Sequence, residues 1–578
     1  MTTPRPVRKP LSTVFALLLL GLVGCRTTQS SVRPSANEDR VAVVADPPAA
    51  PGSMASNLSV ASNSLLLIWV EPAEVAGSFR LRFSQWRAGA WAAATTIAEH
   101  PSIVANWADT PSVREAVDGT LVAQWSERLD DSSHATNVLV ARSTDSGKTW
   151  VGLGPAHDDD TQTEHGFVSL LADDPSVRAF WLDGRETGGG MRNRGAMTLR
   201  TAKISERVIE SEVLDDSVCD CCGTSAAMTS QGPIVVFRDR LPGEIRDISI
   251  IRRVGGAWTA PRPVHADGWK IPGCPVNGPA VAAEKSRVAV AWFTDAAGRA
   301  VVKVAFSIDA GATFAEPVEV DAPRGRVTPM GRVGVVLDDH DGAFVSWMAS
   351  NREQAQVLVR RVIPAGRRSS PVVLAQSQSN RDSGFPRLAR STRELFVVWT
   401  EASTPSHLRF QAVPLSALPA ATQSATLPSV QEVAVLTVDS LMPDYSAQTL
   451  EGKDVSVSLL RGQVVLLNFW ATWCEPCRAE LPTLAMIYQR YASRGLQVLG
   501  VSLDAQQTPA QVKSFADRRK VPYLLWLDSQ DLASRKLGIA TLPVTVLIRR
   551  DGTVAWSQVG AIGEDDQSLS LALESALR

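Results

Sequence analysis

Cys474 and Cys477 stand two residues apart in Trp473-Cys474-Glu475-Pro476-Cys477, directly after the apolar run Val464-Val465-Leu466-Leu467-Asn468-Phe469-Trp470. A short buried strand feeding a cysteine pair at a helix start suits thiol–disulfide exchange. Two intervening residues put both sulfurs on the first helical turn, within reach of a disulfide. Unpaired backbone N–H groups and the positive end of the helix dipole favour a thiolate on the first sulfur. Cys474 therefore reads as the nucleophile and Cys477 as the resolving thiol that attacks the mixed disulfide. Glu475 sets a carboxylate beside them and works against thiolate formation, which favours a reductant over a strong oxidant. Half of a zinc site is the competing reading, but no second cysteine pair follows in this region.

The flanking residues narrow the choice. Residues 471–482 read ATWCEPCRAELP, with Pro482 placed to kink the helix. Downstream, Thr541-Leu542-Pro543-Val544-Thr545 opens a further strand, and a proline there suits a cis bond packed against the disulfide, where it helps dock an extended substrate. To these add Met442-Pro443-Asp444-Tyr445, Leu460-Arg461-Gly462-Gln463, the string NFWATWCEPC and Asp551-Gly552-Thr553-Val554. With them, residues from about 440 to 578 resemble the TlpA/ResA-like family of membrane-tethered thiol–disulfide oxidoreductases. The resemblance implies a thioredoxin-like α/β fold, a cis Pro543 and a helper role for Glu480 near the thiols. It also implies that Cys474 and Cys477 need no cofactor, exchange with exported protein clients and draw on a membrane electron donor. The elements that must hold the pair are a helix from the cysteines, then strands at 497–503, 524–527, 544–549 and 554–559. Helices at 509–520 and 567–577 complete the sandwich.

The rest of the chain is too long for one core, since 578 residues predict two or three domains. Composition is that of a globular protein, 44% hydrophobic and 20% charged, and a net charge of −2 gives no reason to expect nucleic acid as a partner. At the N-terminus, Arg5, Arg8 and Lys9 precede an apolar run over 11–23 that is short for a membrane span and reads as a signal peptide. It ends Leu22-Val23-Gly24-Cys25, which resembles the bacterial lipobox, so Cys25 is the expected lipid carrier and the membrane a partner through that anchor. An uncleaved anchor with an incidental cysteine is the alternative. Either way the chain is exported to the cell envelope, facing the periplasm or the exterior.

From 56 to 414 an apolar strand ending in an aromatic recurs at Trp69, Trp125, Trp181, Phe237, Trp292, Trp347 and Trp399, at separations of 56, 56, 56, 55, 55 and 52 residues. Short, β-branched runs bounded by Gly, Asp and Pro rule out helices. Regular spacing over seven units predicts an all-β propeller of four-stranded blades, seven favoured and six possible. Two turns, Ser143-Thr144-Asp145-Ser146-Gly147-Lys148-Thr149-Trp150 and Ser307-Ile308-Asp309-Ala310-Gly311-Ala312-Thr313-Phe314, resemble the Asp-box of sialidase-like propellers. In that motif Asp145 and Asp309 cap turn amides, Gly147 and Gly311 supply positive φ, and Trp150 and Phe314 pack, all structural roles. A sialidase would need a tyrosine nucleophile. All four tyrosines, Tyr445, Tyr488, Tyr491 and Tyr523, lie beyond the propeller, which disfavours that hydrolase.

Four further cysteines, Cys219, Cys221, Cys222 and Cys274, fall in Cys-Asp-Cys-Cys-Gly and Pro-Gly-Cys-Pro-Val-Asn-Gly, on loops entering the first strands of successive blades. His165 precedes the first strand of the blade before. The loops after the aromatic strands, Glu127-Arg128, Asp183-Gly184-Arg185 and Arg238-Asp239-Arg240, open on the same mouth. Structural disulfides, a copper(I) or zinc site of thiolates with or without His165, and a redox-labile pair remain three readings of this cluster. The expected order is a signal peptide 1–24, a stalk 25–55, the propeller 56–414, a linker 415–438 and the thioredoxin-like domain 439–578. A flexible linker of that length reaches about 25–30 Å, enough to bring Cys474 to the propeller mouth. The runner-up function is a metal- or glycan-binding propeller with an accessory redox domain.

Overall fold

The computed structural model describes residues 46–578 except 130–134, 189–194, 209–210, 326, 352–353, 425–435, 437, 505–506, 531, 538, 540 and 564–565. The signal peptide, Cys25 and most of the stalk lie outside the described residues, as does part of the linker.

Seven antiparallel sheets follow one another from Met54 to Pro414, one for each aromatic landmark, so the propeller has seven blades. Each landmark sits on the second strand of its sheet, for example Trp181 on Ser176–Asp183 between His165–Asp173 and Thr198–Ile204. The wealth of tryptophan has a local cause. A buried indole N–H needs an acceptor, and in the first three blades the acid two residues on supplies it. Trp69 donates to Glu71 at 2.8 Å, Trp125 to Glu127 at 2.7 Å and Trp181 to Asp183 at 2.9 Å.

The Asp-boxes staple neighbouring blades. Asp145 accepts from the amides of Lys148 and Thr149, both at 3.0 Å, and so turns the chain back. Gly147 has φ +82° and lies so close to Phe83 that a Cβ there would stand 2.1 Å from the ring. Gln85 of the first blade donates to Ser146 O, and Arg252 of the fourth donates to Ala310 O in the second box. The ring closes through side chains. Phe410 of the seventh blade lies 5.0 Å from both Trp86 and Trp91 of the first, and Gly52 N donates to Ser406 O.

The segment expected as a linker begins on the propeller: Gln423–Ser424 pairs with Arg367–Arg368 at the edge of the sixth sheet. The C-terminal domain has a seven-stranded sheet with Val464–Trp470 inside it, parallel to Leu496–Ser502 and antiparallel to Val544–Ile548. Every residue of Val464–Trp470 is buried, because the strand is covered on both faces. Val464 and Leu466 face Leu484 and Leu569 on two helices. Val465, Leu467 and Phe469 face the opposite way, into the cluster that holds Cys474 and Cys477.

Candidate redox site and sulfur pocket

Cys474 is the N-cap of the helix Glu475–Tyr491, with Pro476 in its first turn, and the helix carries on through Pro482. Its sulfur accepts from the Cys477 amide at 3.3 Å and is joined to Cys477 in a disulfide. Glu475 is not a lone carboxylate, because Arg478 pairs with it through Nε at 2.8 Å and through Nη2. That cation offsets the opposition to a thiolate expected from Glu475. Glu480 is buried. Its oxygens accept from Asn468 Nδ2 at 2.8 Å and from Ile562 N at 3.0 Å, while burial pushes its carboxyl up to about 8. Pro543 follows a cis peptide bond from Leu542.

The redox pair is covered by the propeller's own cysteine loops. Cys474, Cys477, Leu542 and all four propeller cysteines belong to one buried cluster, and Cys474 and Cys477 are both 0% exposed. Across the seam, Cys274 N donates to Leu542 O at 2.7 Å and Leu542 N to Cys274 O at 3.4 Å. A third bond runs from Ala561 N to Pro272 O at 2.9 Å. Gly273 and Gly560 make this approach fit: a Cβ on Gly273 would lie 2.8 Å from Leu542 O, and one on Gly560 would lie 2.6 Å from Pro272. The guanidinium of Arg381, at the entry to the seventh blade, stands 5.8 Å over the Trp473 ring.

Two loops meet at the sulfurs. Cys219 N donates to Arg238 O, and the Arg238 guanidinium donates to Asn277 O at 2.7 and 3.0 Å, so one arginine ties both cysteine loops. Cys219 Sγ lies 3.5 Å from Cys222 Sγ and 3.8 Å from Cys221 Sγ, and Cys274 lies beside Asp220 and Cys221. All four are free thiols. Arg246, buried, points Nη1 at Cys219 Sγ from 3.2 Å and bonds Glu244 at 2.7 Å. Burial opposes charge on Cys219, but contacts from Cys221 and Cys222 together with the Arg246 charge outweigh it and hold Cys219 well below the usual thiol range. Burial drives Cys221 and Cys222 the opposite way. At Cys274 the contact with Cys221 favours the thiolate, yet burial and the charges of Asp220 and Cys219 carry it to about 11.

His165 does not serve this pocket. It opens the strand His165–Asp173, its Nε2 lies 3.2 Å from Asp159, and its ring stacks on His157 at 3.9 Å. Asp183 and Arg185 are engaged with one another beside it at 2.8 Å. Sequence reasoning passed over Arg246, Asp220 and His157. The string Ala156-His157-Asp158-Asp159-Asp160 was the available signal for the last, whereas nothing near Arg246 marks it as a sulfur partner.

Comparison with known proteins bears on the C-terminal region. The AhpC/TSA family model matches residues 438–557. Thiol-disulfide oxidoreductase ResA of Geobacillus thermodenitrificans is 33% identical over 135 residues, 23% of this chain and 76% of ResA. Thioredoxin-like protein YneN of Bacillus subtilis is 32% identical over 133 residues, 23% of this chain and 77% of YneN. Among solved structures, StoA from Bacillus subtilis is 27% identical and covers 22% of this chain and 94% of its own, with a TM-score of 0.20. A helix-capping cysteine pair, a buried Glu480 and ResA similarity over most of that protein's length agree, and through its C-terminal quarter the chain belongs to the AhpC/TSA family, among its ResA-like thiol–disulfide oxidoreductases.

Proposed function

We propose that the protein reduces disulfides with Cys474 as the attacking sulfur and Cys477 as the resolving one. The observation that carries this reading is the place of Cys474 at the helix N-cap, where the Cys477 amide donates to its sulfur. A thiolate there gains from that amide and from the helix dipole. The Cys474 thiolate attacks a client disulfide, one client sulfur leaves, and Cys477 attacks Cys474 to release the other. Two electrons pass to the client, and an external dithiol restores the pair. Glu480 lies one turn beyond Cys477 on the same helix face. A carboxyl titrating near 8 can take and return the Cys477 proton around neutral pH. Full-length protein equilibrated in dithiothreitol buffers of graded potential, then alkylated, should show one two-electron couple on the Cys474 peptide that Cys474→Ser abolishes. A pair that stays in one oxidation state at every buffer ratio refutes the assignment.

The proposed location is the bacterial cell envelope, with lipid on Cys25. The apolar run ending Leu22-Val23-Gly24-Cys25 supports it. Metabolic lipid labelling that persists in Cys25→Ala removes the anchor.

The sulfur spacing favours a second role for the propeller. Tetrahedral thiolate zinc, with Zn–S near 2.3 Å, sets its sulfurs about 3.8 Å apart. The Cys219 pairs at 3.5 and 3.8 Å fit that edge. Cys219, Cys221, Cys222 and Cys274 would hold copper(I) or zinc in a soft, buried site, with Arg246 offsetting the surplus negative charge.

A further inference from the structure

We propose that the sulfur pocket of the propeller is the in-chain substrate of Cys474, entered at Cys274. This rests on the oxidoreductase reading above and names its client.

The backbone pairing is the first ground. An exposed strand edge captures an extended segment through paired main-chain hydrogen bonds. In this chain Leu542, in the loop one residue before Pro543, is bridged in the same antiparallel way by Cys274 of the propeller, with bonds at 2.7 and 3.4 Å. The captured segment thus carries a cysteine into the cluster that holds Cys474. Gly273 and Gly560 are the second ground: a Cβ on either would collide with the opposite side, so both loops suit this close approach. Third, Cys474 is 0% exposed. While the seam is closed an outside protein has no path to it, and the sulfurs beside it belong to the chain itself. Buried cysteines can be plain packing, but packing alone gives no reason for a buried guanidinium hydrogen-bonded to Cys219.

The chemistry balances. In the oxidised pocket Cys221 and Cys274, already neighbours, share a disulfide. Cys474 thiolate attacks Cys274 Sγ, the Cys221–Cys274 bond breaks, and Cys221 leaves as a thiolate and is protonated. Cys477 gives its proton to Glu480 and attacks Cys474 Sγ, which frees Cys274. One proton comes back from Glu480, and the second, lost when Cys474 ionised, returns from solvent. The result is two propeller thiols and a Cys474–Cys477 disulfide, the combination seen here. An external dithiol then reduces Cys474–Cys477 with the seam open.

The test uses full-length Cys477→Ser, which cannot resolve the mixed disulfide. Non-reducing peptide mass spectrometry should find the Cys474 peptide joined to the Cys274 peptide within one chain, at a yield unchanged over a tenfold dilution. Cys474 found only as a free thiol, or joined only to glutathione or a second chain, overturns the inference. If wild-type protein still passes the dithiothreitol titration, the oxidoreductase reading survives that loss. Failure of both results sinks the two together. A second measurement guards against a misfolded variant: the pocket of oxidised wild type should be reduced by limiting dithiol at least tenfold faster than that of Cys474→Ser/Cys477→Ser. Equal rates overturn the proposal.

Discussion

Cys274 and Leu542 exchange both of their backbone hydrogen bonds, Cys274 N to Leu542 O at 2.7 Å and Leu542 N to Cys274 O at 3.4 Å. A propeller loop and a thioredoxin-like domain are thus joined by one antiparallel bridge, the hydrogen-bonded pair of an antiparallel ladder in a single copy. The contact lies next to Pro543 and in the same buried cluster as Cys474, so in this arrangement it helps to cover the Cys474–Cys477 disulfide.

Gly273→Val tests that cover. The added Cβ would stand 2.8 Å from Leu542 O, a backbone atom that cannot swing aside. Gly273 has no positive φ, so the substitution strains the seam and not its own loop. Alkylation of reduced Cys474 should speed up at least tenfold, and insulin reduction by the full chain should rise, with the far-ultraviolet circular dichroism unchanged. Alkylation at the wild-type rate would show that the Cys274–Leu542 pairing does not gate the site.

Glu480 should leave a signature in the pH dependence of both stability and exchange. Its carboxyl titrates near 8 in the folded chain and at about 4.3 in an unfolded one. Between those values the unfolded chain has released a proton that the folded chain keeps, so stability falls as pH rises through this window. Glu480→Gln removes that slope. The melting temperature of the variant relative to wild type should climb from pH 4 to pH 8, whatever constant offset the altered bonds to Asn468 and Ile562 impose. Release of mixed disulfides should also slow and lose its titration near 8. A pH-independent gap between the two proteins contradicts the buried-acid account.

Much of the fold was legible because two periodicities were strong. Seven aromatic strands at near-constant spacing map one to one onto seven sheets, and the alternation in Val464–Trp470 separates the two faces of a central strand. The cysteine pair was legible for the same kind of reason, since its spacing is set by a single helical turn. What sequence left open depends on contacts between distant loops. Cys219 and Cys274 could be placed on one mouth, but neither the Arg246 beneath Cys219 nor the bonding of Cys274 to Leu542 has a local pattern. His165 was grouped with the thiols by blade position alone, and its ring turned instead to His157 and Asp159, whose acid and stacking surface were nearer.

Phe410 carries the closure of the propeller. It is fully buried between Trp86, Trp91 and Phe396, at the join of the first and seventh blades. Phe410→Ala should cost about 3–5 kcal/mol through lost burial and the cavity left behind. Calorimetry should show the propeller melting earlier. A loss under about 1 kcal/mol would mean the ring is held shut elsewhere.

The proposed soft-metal and redox roles make one joint prediction. Cys219 stands 3.5 and 3.8 Å from Cys222 and Cys221, and Cys274 lies beside Cys221, so the reduced pocket offers four thiol donors to a thiophilic ion. Pairing Cys221 with Cys274 in a disulfide takes two of those donors away. Reduced full-length protein should therefore take up one equivalent of copper(I) or zinc with thiolate-to-copper charge-transfer absorption, and oxidised protein should take up none. Cys222→Ser should weaken binding at least tenfold, and so should Cys274→Ser. Metal also occupies the sulfur that Cys474 must attack or release, so loading it first should suppress the Cys474–Cys274 link in Cys477→Ser. If reduced protein binds no metal, the pocket is redox-active only. If metal binds but the link forms as readily as before, Cys274 is not one of the ligands, and the site reduces to Cys219, Cys221 and Cys222.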